Sequence, residues 1–325
     1  MIFSASELLP VAESTGYKAD MIEKVLHLLR LLDVLNTHPY LKNKWALKGG
    51  TALNLFRQNL PRLSVDIDLN YIGVLDRETM LAERPKFERA VQAVCAREGF
   101  TVRRAPEEHA GGKWRLTYQS HTGQSSNLEI DINYMFRQPL WNIKPYDSLE
   151  LGFVKANNIP VLDIHELAAG KLAAMLSRGQ ARDLFDSHSL LKSESLSPDK
   201  LRLAFVVYGA MNRNDWRNVS IENINFEPNE LARQLLPTLR AGTAEKYGEP
   251  INYGLYLIRE CRENLSKVLP FTASEKNFLN LLMDQAVIDA ALLTNDPVLQ
   301  TRIQDQPLLH WKAHNVRKHK GLTGK

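Results

Sequence analysis

Residues 47–73 read LKGGTALNLFRQNLPRLSVDIDLNYIG, and the two halves of this stretch obey different periodicities. In the second half apolar residues hold every other position (Leu63, Val65, Ile67, Leu69, Tyr71), which predicts a strand over 63–71. Ser64, Asp66, Asp68 and Asn70 then share the opposite face. In the first half Lys48-Gly49-Gly50-Thr51 precedes Ala52, Leu53, Leu55 and Phe56, the pattern of a tight turn opening a helix. Paired glycines let backbone N–H groups approach phosphate oxygens, and a helix N-terminus favours negative charge. The same pair also serves any tight turn. Arg62 adds positive charge beside it, and Ser64, on the acid face, is placed to hydrogen-bond a phosphate.

Two carboxylates two positions apart on a strand can hold the same divalent cation, although isolated Asp-x-Asp pairs are common on solvated faces. A third acid strengthens the signal. Residues 128–134, LEIDINY, alternate in the same way, with Leu128, Ile130 and Ile132 inward and Glu129, Asp131 and Asn133 outward. Pairing of the two strands in one sheet would gather acids that repel one another until a cation is bound. Hard oxygen donors select Mg²⁺ or Mn²⁺ over zinc. Two such ions fit nucleotidyl transfer, one activating the attacking hydroxyl and one holding the triphosphate.

Outward from this centre the spacing predicts helices over 20–36 and 86–98, strands over 100–103 and 114–118, and a hairpin turn at 121–125. Residues 1–160 therefore read as an α+β domain, a mixed or antiparallel sheet with flanking helices. Residues 161–325 read as mostly helical, with helices over 163–178, 181–192, 198–209 and 259–267. Thr272 and Glu275 form a capping box ahead of Phe278, Leu281, Leu282, Ala286 and Ile288. The stretch 212–253 reads as loops.

Composition limits the remaining choices. The 325 residues are 44% hydrophobic and 24% charged, proportions that exclude disorder and fibrous repeats. Cys95 and Cys261 stand far apart, which excludes a zinc finger and suits a reducing compartment. Residues 1–15 lack a basic leader and no apolar run is long enough to span a bilayer, so a cytoplasmic protein is expected. The net charge of +4 suits a polyanionic partner without requiring one. Residues 312–325 hold five Lys or Arg and no acid, read as a solvated end, with an RNA-binding arm as the alternative. Ala169-Gly170-Lys171 lacks the first glycine of a phosphate-binding loop, and His165-Glu166 lacks a second histidine for a zinc helix.

Taken in order, the stretch 47–73, then LEIDINY, then GKLAAMLSRGQARDLFD at 170–186, resemble the AbiEii/AbiGii family of nucleotidyltransferase toxins from abortive-infection and toxin–antitoxin systems. The resemblance spans residues 45–190. It implies a polymerase-β-like nucleotidyltransferase core in which Lys48, Gly49, Gly50, Thr51, Arg62 and Ser64 bind nucleotide and Asp66, Asp68 and Asp131 bind metal. Glu129 shares a face with Asp131, but the family's order of acid, apolar residue, Asn and aromatic residue selects Asp131. Lys171 and Arg178, two helical turns apart on one face, and Arg182 become nucleotide contacts, while Asp183 becomes a general base or a structural anchor. Arg182 and Asp186, four apart, also suit an ordinary exposed ion pair. The implied reaction transfers NMP from an NTP, with Mg²⁺, to an acceptor expected to be the tRNA 3′ end, which would stop translation. Protein acceptors, phosphoryl transfer and a noncatalytic binding module are the alternatives. A cognate antitoxin is the implied partner, and a monomer is the default.

Overall fold

The computed structural model describes residues 3–59, 61–104 and 111–322, and the chain divides into two compact units. The first comprises Met1–Arg137, Ile143–Leu162 and Leu236–Lys246; the second comprises Gln138–Asn142, Asp163–Leu235 and Tyr247–Lys325. Two short stretches, 138–142 and 236–246, thus lie on the other side of the division expected near residue 160.

The first unit runs α1 (Ala5–Thr15), α2 (Ala19–Thr37), β1 (Trp45–Lys48), α3 (Gly49–Thr51) continued by a π-helix (Ala52–Arg57), β2 (Asp66–Tyr71), α4 (Arg77–Arg97), β3 (Thr101–Arg104), β4 (Gly111–Gln119), β5 (Ser125–Asn133), β6 (Lys144–Tyr146) and β7 (Ile159–Val161). Its strands form one mixed seven-stranded sheet in the order β3-β4-β5-β2-β1-β7-β6. β2 runs parallel to β5 and β1 parallel to β7, while the other neighbours are antiparallel. The α+β expectation is met. Ile22, Val25, Leu26, Leu29 and Leu32 of α2 are buried, as are Ile67 and Leu69 of β2 and Leu128, Ile130 and Ile132 of β5. Each such side chain contributes about 1.5–3 kcal/mol when withdrawn from water. The two-residue period then commits the acids to the other face.

Two helices exceed the sequence reading. α1 opens on a capping box between Ser4 and Glu7 and closes on Gly16 at φ +73°, but Pro10 inside it obscures the helical pattern. α4 begins well before residue 86, where Asp76 accepts a hydrogen bond from the Thr79 N–H, and Pro85 hides its first half.

The second unit contains α5 (Ile164–Arg178), α6 (Ala181–Leu191), α7 (Pro198–Ala210), α8 (Pro228–Glu230), α9 (Pro250–Asn264), α10 (Ala273–Asn280), α11 (Pro297–Gln304) and α12 (Pro307–Lys320). Gly179, at φ +64°, ends α5, and the Thr272–Glu275 box starts α10 as anticipated. The basic tail is solvated only in part, with Arg317, Lys318 and Lys320 exposed. Leu309, Ala313 and Val316 of α12 are buried at helical spacing. Lys312 is buried as well, its ammonium donating to the carbonyls of Asn212, Arg213 and Asn214 at 2.8, 3.1 and 3.3 Å. Lys320 pairs with Asp284 at 2.7 Å. The cations had concealed an amphipathic helix; residues 323–325 of that tail lie outside the described residues. Among the described residues no helix is long and apolar enough to cross a membrane.

Candidate active site

The register of the first unit places its charged side chains in rows across one sheet face. Parallel pairing of β2 with β5 sets Asp66 beside Glu129 and Asp68 beside Asp131. β1 brings Lys48 beside Asp68, and β4 brings Lys113 beside Asp131 and Arg115 beside Glu129. Neighbours in register share a face, so Asp131 stands on the same side as Asp66 and Asp68.

The glycine bend lies directly against these acids. Gly49 adopts φ +72°, and a Cβ there would sit 2.2 Å from Asp68 Oδ2. A Cβ on Gly50 would meet Arg62 Nη2 and Ser64 Oγ, each at 2.8 Å. Only a backbone without side chains allows this approach. Thr51 is fully buried and its hydroxyl donates to the Asp66 carbonyl, while Asn54 Nδ2 donates to the Gly50 carbonyl at 2.8 Å. Arg62 and Ser64 are buried too. The side chains of Thr51, Arg62 and Ser64 therefore brace the bend from within, and Lys48, Asp68 and Asp131 remain partly exposed. The 61–64 segment is itself held by the returning 236–246 stretch, through Leu63 N–H to the Thr238 carbonyl and Arg240 N–H to the Pro61 carbonyl, both 2.9 Å. Nothing in the local sequence signals that brace.

The charges separate the two rivals for the third acid. Glu129 pairs with Lys113 at 2.7 Å and Arg115 at 3.5 Å. Burial pushes its pKa up, but the two cations outweigh burial and hold it below the usual value. Burial raises the pKa of Asp131; Lys48 offsets part of that rise and the charge of Asp68 adds to it. Among the described residues neither Asp68 nor Asp131 has a hydrogen bond or ion pair with another side chain. Glu129 is already neutralised, whereas Asp68 and Asp131 repel each other.

Among the described residues no three His, Cys, Asp or Glu side chains are gathered as a finished metal cage. Register sets Asp68 beside Asp131 and Asp66 beside Glu129, with all four on one face. The donors still fit a hard cation. Asp68 and Asp131 offer adjacent carboxylates, with the bare Gly49 backbone against one of them, and Mg²⁺ ordinarily completes its shell with water and substrate phosphate.

The second unit gathers its own set. Asp183 pairs with Lys171 at 3.1 Å and with Arg178 at 2.7 Å, and Lys171 also pairs with Asp186 at 2.8 Å. Lys171 and Arg178 thus share a helix face, as their spacing predicts. Asp186 is 0% exposed and bound by Lys171, so the exposed setting expected for its pairing does not hold. Asp183, buried between two cations, ties α5 to α6 across Gly179. Glu166 was missed as anything but a failed zinc motif. It is buried and accepts hydrogen bonds from the Leu140 N–H at 3.0 Å, the Trp141 N–H at 3.2 Å and the Tyr208 hydroxyl at 3.0 Å. Burial pushes its pKa up to about 7.

A family model described as the nucleotidyl transferase AbiEii toxin of type IV toxin–antitoxin systems matches residues 30–252. Among solved structures the chain is similar to MenT4, a nucleotidyltransferase toxin from Mycobacterium tuberculosis H37Rv, with a TM-score of 0.60 and 16% identity over 93% of this chain and 98% of that one. At that identity the likeness concerns the fold. No curated protein matches the sequence.

Proposed function

This chain belongs to the AbiEii family of nucleotidyltransferase toxins of type IV toxin–antitoxin systems, and on that footing we propose that its acid-bearing sheet face transfers NMP from an NTP to the 3′ end of tRNA. Asp68 and Asp131, with Asp66 on the same face, would hold Mg²⁺, which would supply positive charge for the triphosphate and acidity for the acceptor hydroxyl. The backbone of Gly49-Gly50 and the Lys48 ammonium receive phosphate oxygens. The acceptor hydroxyl gives up its proton to solvent and its oxygen bonds to the α-phosphorus as the bond to the bridging oxygen breaks, and pyrophosphate leaves with its charge opposed by Lys48. Lys171, Arg178 and Arg182 are proposed nucleotide contacts of the second unit, with Asp183 as their anchor. Capping the tRNA end stops aminoacylation and hence translation, and a cognate antitoxin restrains the activity.

The observation that carries this reading is the register of Asp68 beside Asp131, with Gly49 pressed on the Asp68 carboxylate. Each of the four NTPs, labelled at the α or γ position, is incubated with the protein, total RNA and lysate protein. Label entering RNA from the α position alone is the expected result. Entry from γ alone means phosphoryl transfer, and α-label on protein means a protein acceptor. Chelating the divalent cation is expected to abolish transfer. Asp68→Ala is expected to reduce it by at least about 100-fold while circular dichroism stays unchanged. Full toxicity of a well-expressed Asp66→Ala, Asp68→Ala double variant would reject the enzymatic reading.

A further inference from the structure

The acid-bearing face extends beyond β5 onto the two outer strands, and there its charge changes sign. Arg103 of β3 is the register partner of Arg115 of β4, which in turn neighbours Glu129. Lys113, two positions along β4, neighbours Asp131. Lys113 and Arg115 keep 47% and 61% of their side chains in solvent, and Arg103 is exposed. Like charges directly opposite on paired strands destabilise a sheet. Among the described residues Glu129 pairs with Lys113 and Arg115, one carboxylate for the three cations of this part of the face, so the described packing gives no reason to set Arg103 opposite Arg115. An anionic ligand does.

The other side chains on this part of the face are polar and uncharged: Thr101, Thr117, Gln119, Asn127 and Ser125, with Thr117 Oγ1 donating to Asn127 Oδ1 at 2.8 Å. Protein partners are held mainly through buried aromatic and apolar anchors, and this face offers none. A phosphodiester chain needs only spaced cations. Neighbouring strands lie about 4.8 Å apart, so Lys113 stands one strand from Asp131, and Arg115 and Arg103 one and two strands from Glu129.

We propose that Arg103, Lys113 and Arg115 form the binding track for the acceptor RNA, gripping backbone phosphates just behind the hydroxyl that reaches Asp131. This rests on the reading of the sheet face as a nucleotidyl-transfer site. Arginine grips phosphate through a planar fork, which suits a chain passing over β3 and β4.

The test measures binding and turnover separately. Binding of wild type and an Arg103→Gln, Arg115→Gln double variant to total tRNA and to a short single-stranded RNA is titrated by fluorescence anisotropy at several salt concentrations without NTP. The variant is expected to bind roughly tenfold more weakly, and the log–log salt slope to shrink by about 1.4, two phosphate contacts at about 0.7 each. In turnover, KM for RNA is expected to rise with KM for NTP unchanged, and thermal unfolding not to fall, since a like-charge pair has been removed. Unchanged RNA affinity and salt slope overturn the track, even where nucleotidyl transfer itself is intact. α-Label found on protein instead of RNA also overturns it. Absence of all transfer by wild type defeats the nucleotidyl-transfer reading, while the binding titration still decides whether these cations hold RNA. If the double variant misfolds, Arg115→Lys is used, which keeps the charge but loses the fork and is expected to give an intermediate affinity.

Discussion

At Gly49 one missing methyl group sets the geometry of the centre. The residue is left-handed at φ +72° and its backbone lies against Asp68. A side chain there incurs about 1–2 kcal/mol for the backbone conformation and must also displace the carboxylate. Gly49→Ala is therefore expected to lower the unfolding free energy from chemical denaturation by that amount and to depress transfer more than its stability loss explains. Activity that tracks only the unfolded fraction would argue that Asp68 need not hold this position. The Asp-x-Asp pair and Asp131 were legible because alternation assigns faces without any tertiary knowledge. The preference for Asp131 over Glu129 was legible only through family resemblance, since both share a face. Its physical basis, the pairing of Glu129 with Lys113 and Arg115, exists only where β4 lies alongside β5.

Among the elements, α5 and α6 are joined by charge. Lys171 neutralises two buried acids, so Lys171→Met leaves both short of a partner and is expected to cost about 3 kcal/mol of unfolding free energy. Arg178 is 56% exposed and its partner Asp183 keeps Lys171, so Arg178→Ala is expected to cost less than about 1 kcal/mol. Equal costs from chemical denaturation would contradict this division of labour. A rise in KM for NTP in correctly folded Lys171→Met supports its nucleotide role, and an unchanged KM removes it. Also on α5, burial keeps Glu166 protonated to about pH 7 against an ordinary value of 4.5. Its folded pKa is raised, so the stability it contributes is complete below about pH 4.5 and is lost as pH rises through about 7. At the steepest this is about 1 kcal/mol per pH unit. Glu166→Gln is expected to flatten the melting temperature across that window; a slope identical to wild type would place the dependence on another group. The helix spacings were readable, as were the box at Thr272 and the stop at Gly179. The partners of Asp186 and Glu166 were not, because they come from a neighbouring helix and from residues 140–141.

At the scale of the molecule the chain leaves its first unit after Leu162 and returns at Leu236–Lys246 to brace the segment carrying Arg62 and Ser64. Leu239, buried and bridged to Arg62, marks that return. Leu239→Ala is expected to cost about 2–3 kcal/mol by leaving a cavity, and to raise KM for NTP by loosening the floor under Gly50. Unaltered KM in a destabilised variant would confine the segment to a structural role. Periodicity alone dictated which residues of β2 and β5 face inward, where the glycine bend interrupts the chain, and that the fold is α+β, because those properties depend on neighbours in sequence. Pairing partners, the row of cations on β3 and β4, the burial of Lys312 and the bracing of the bend depend on contacts between residues far apart in the chain. Their energies arise only after the strands and helices have packed, so no local pattern carries them.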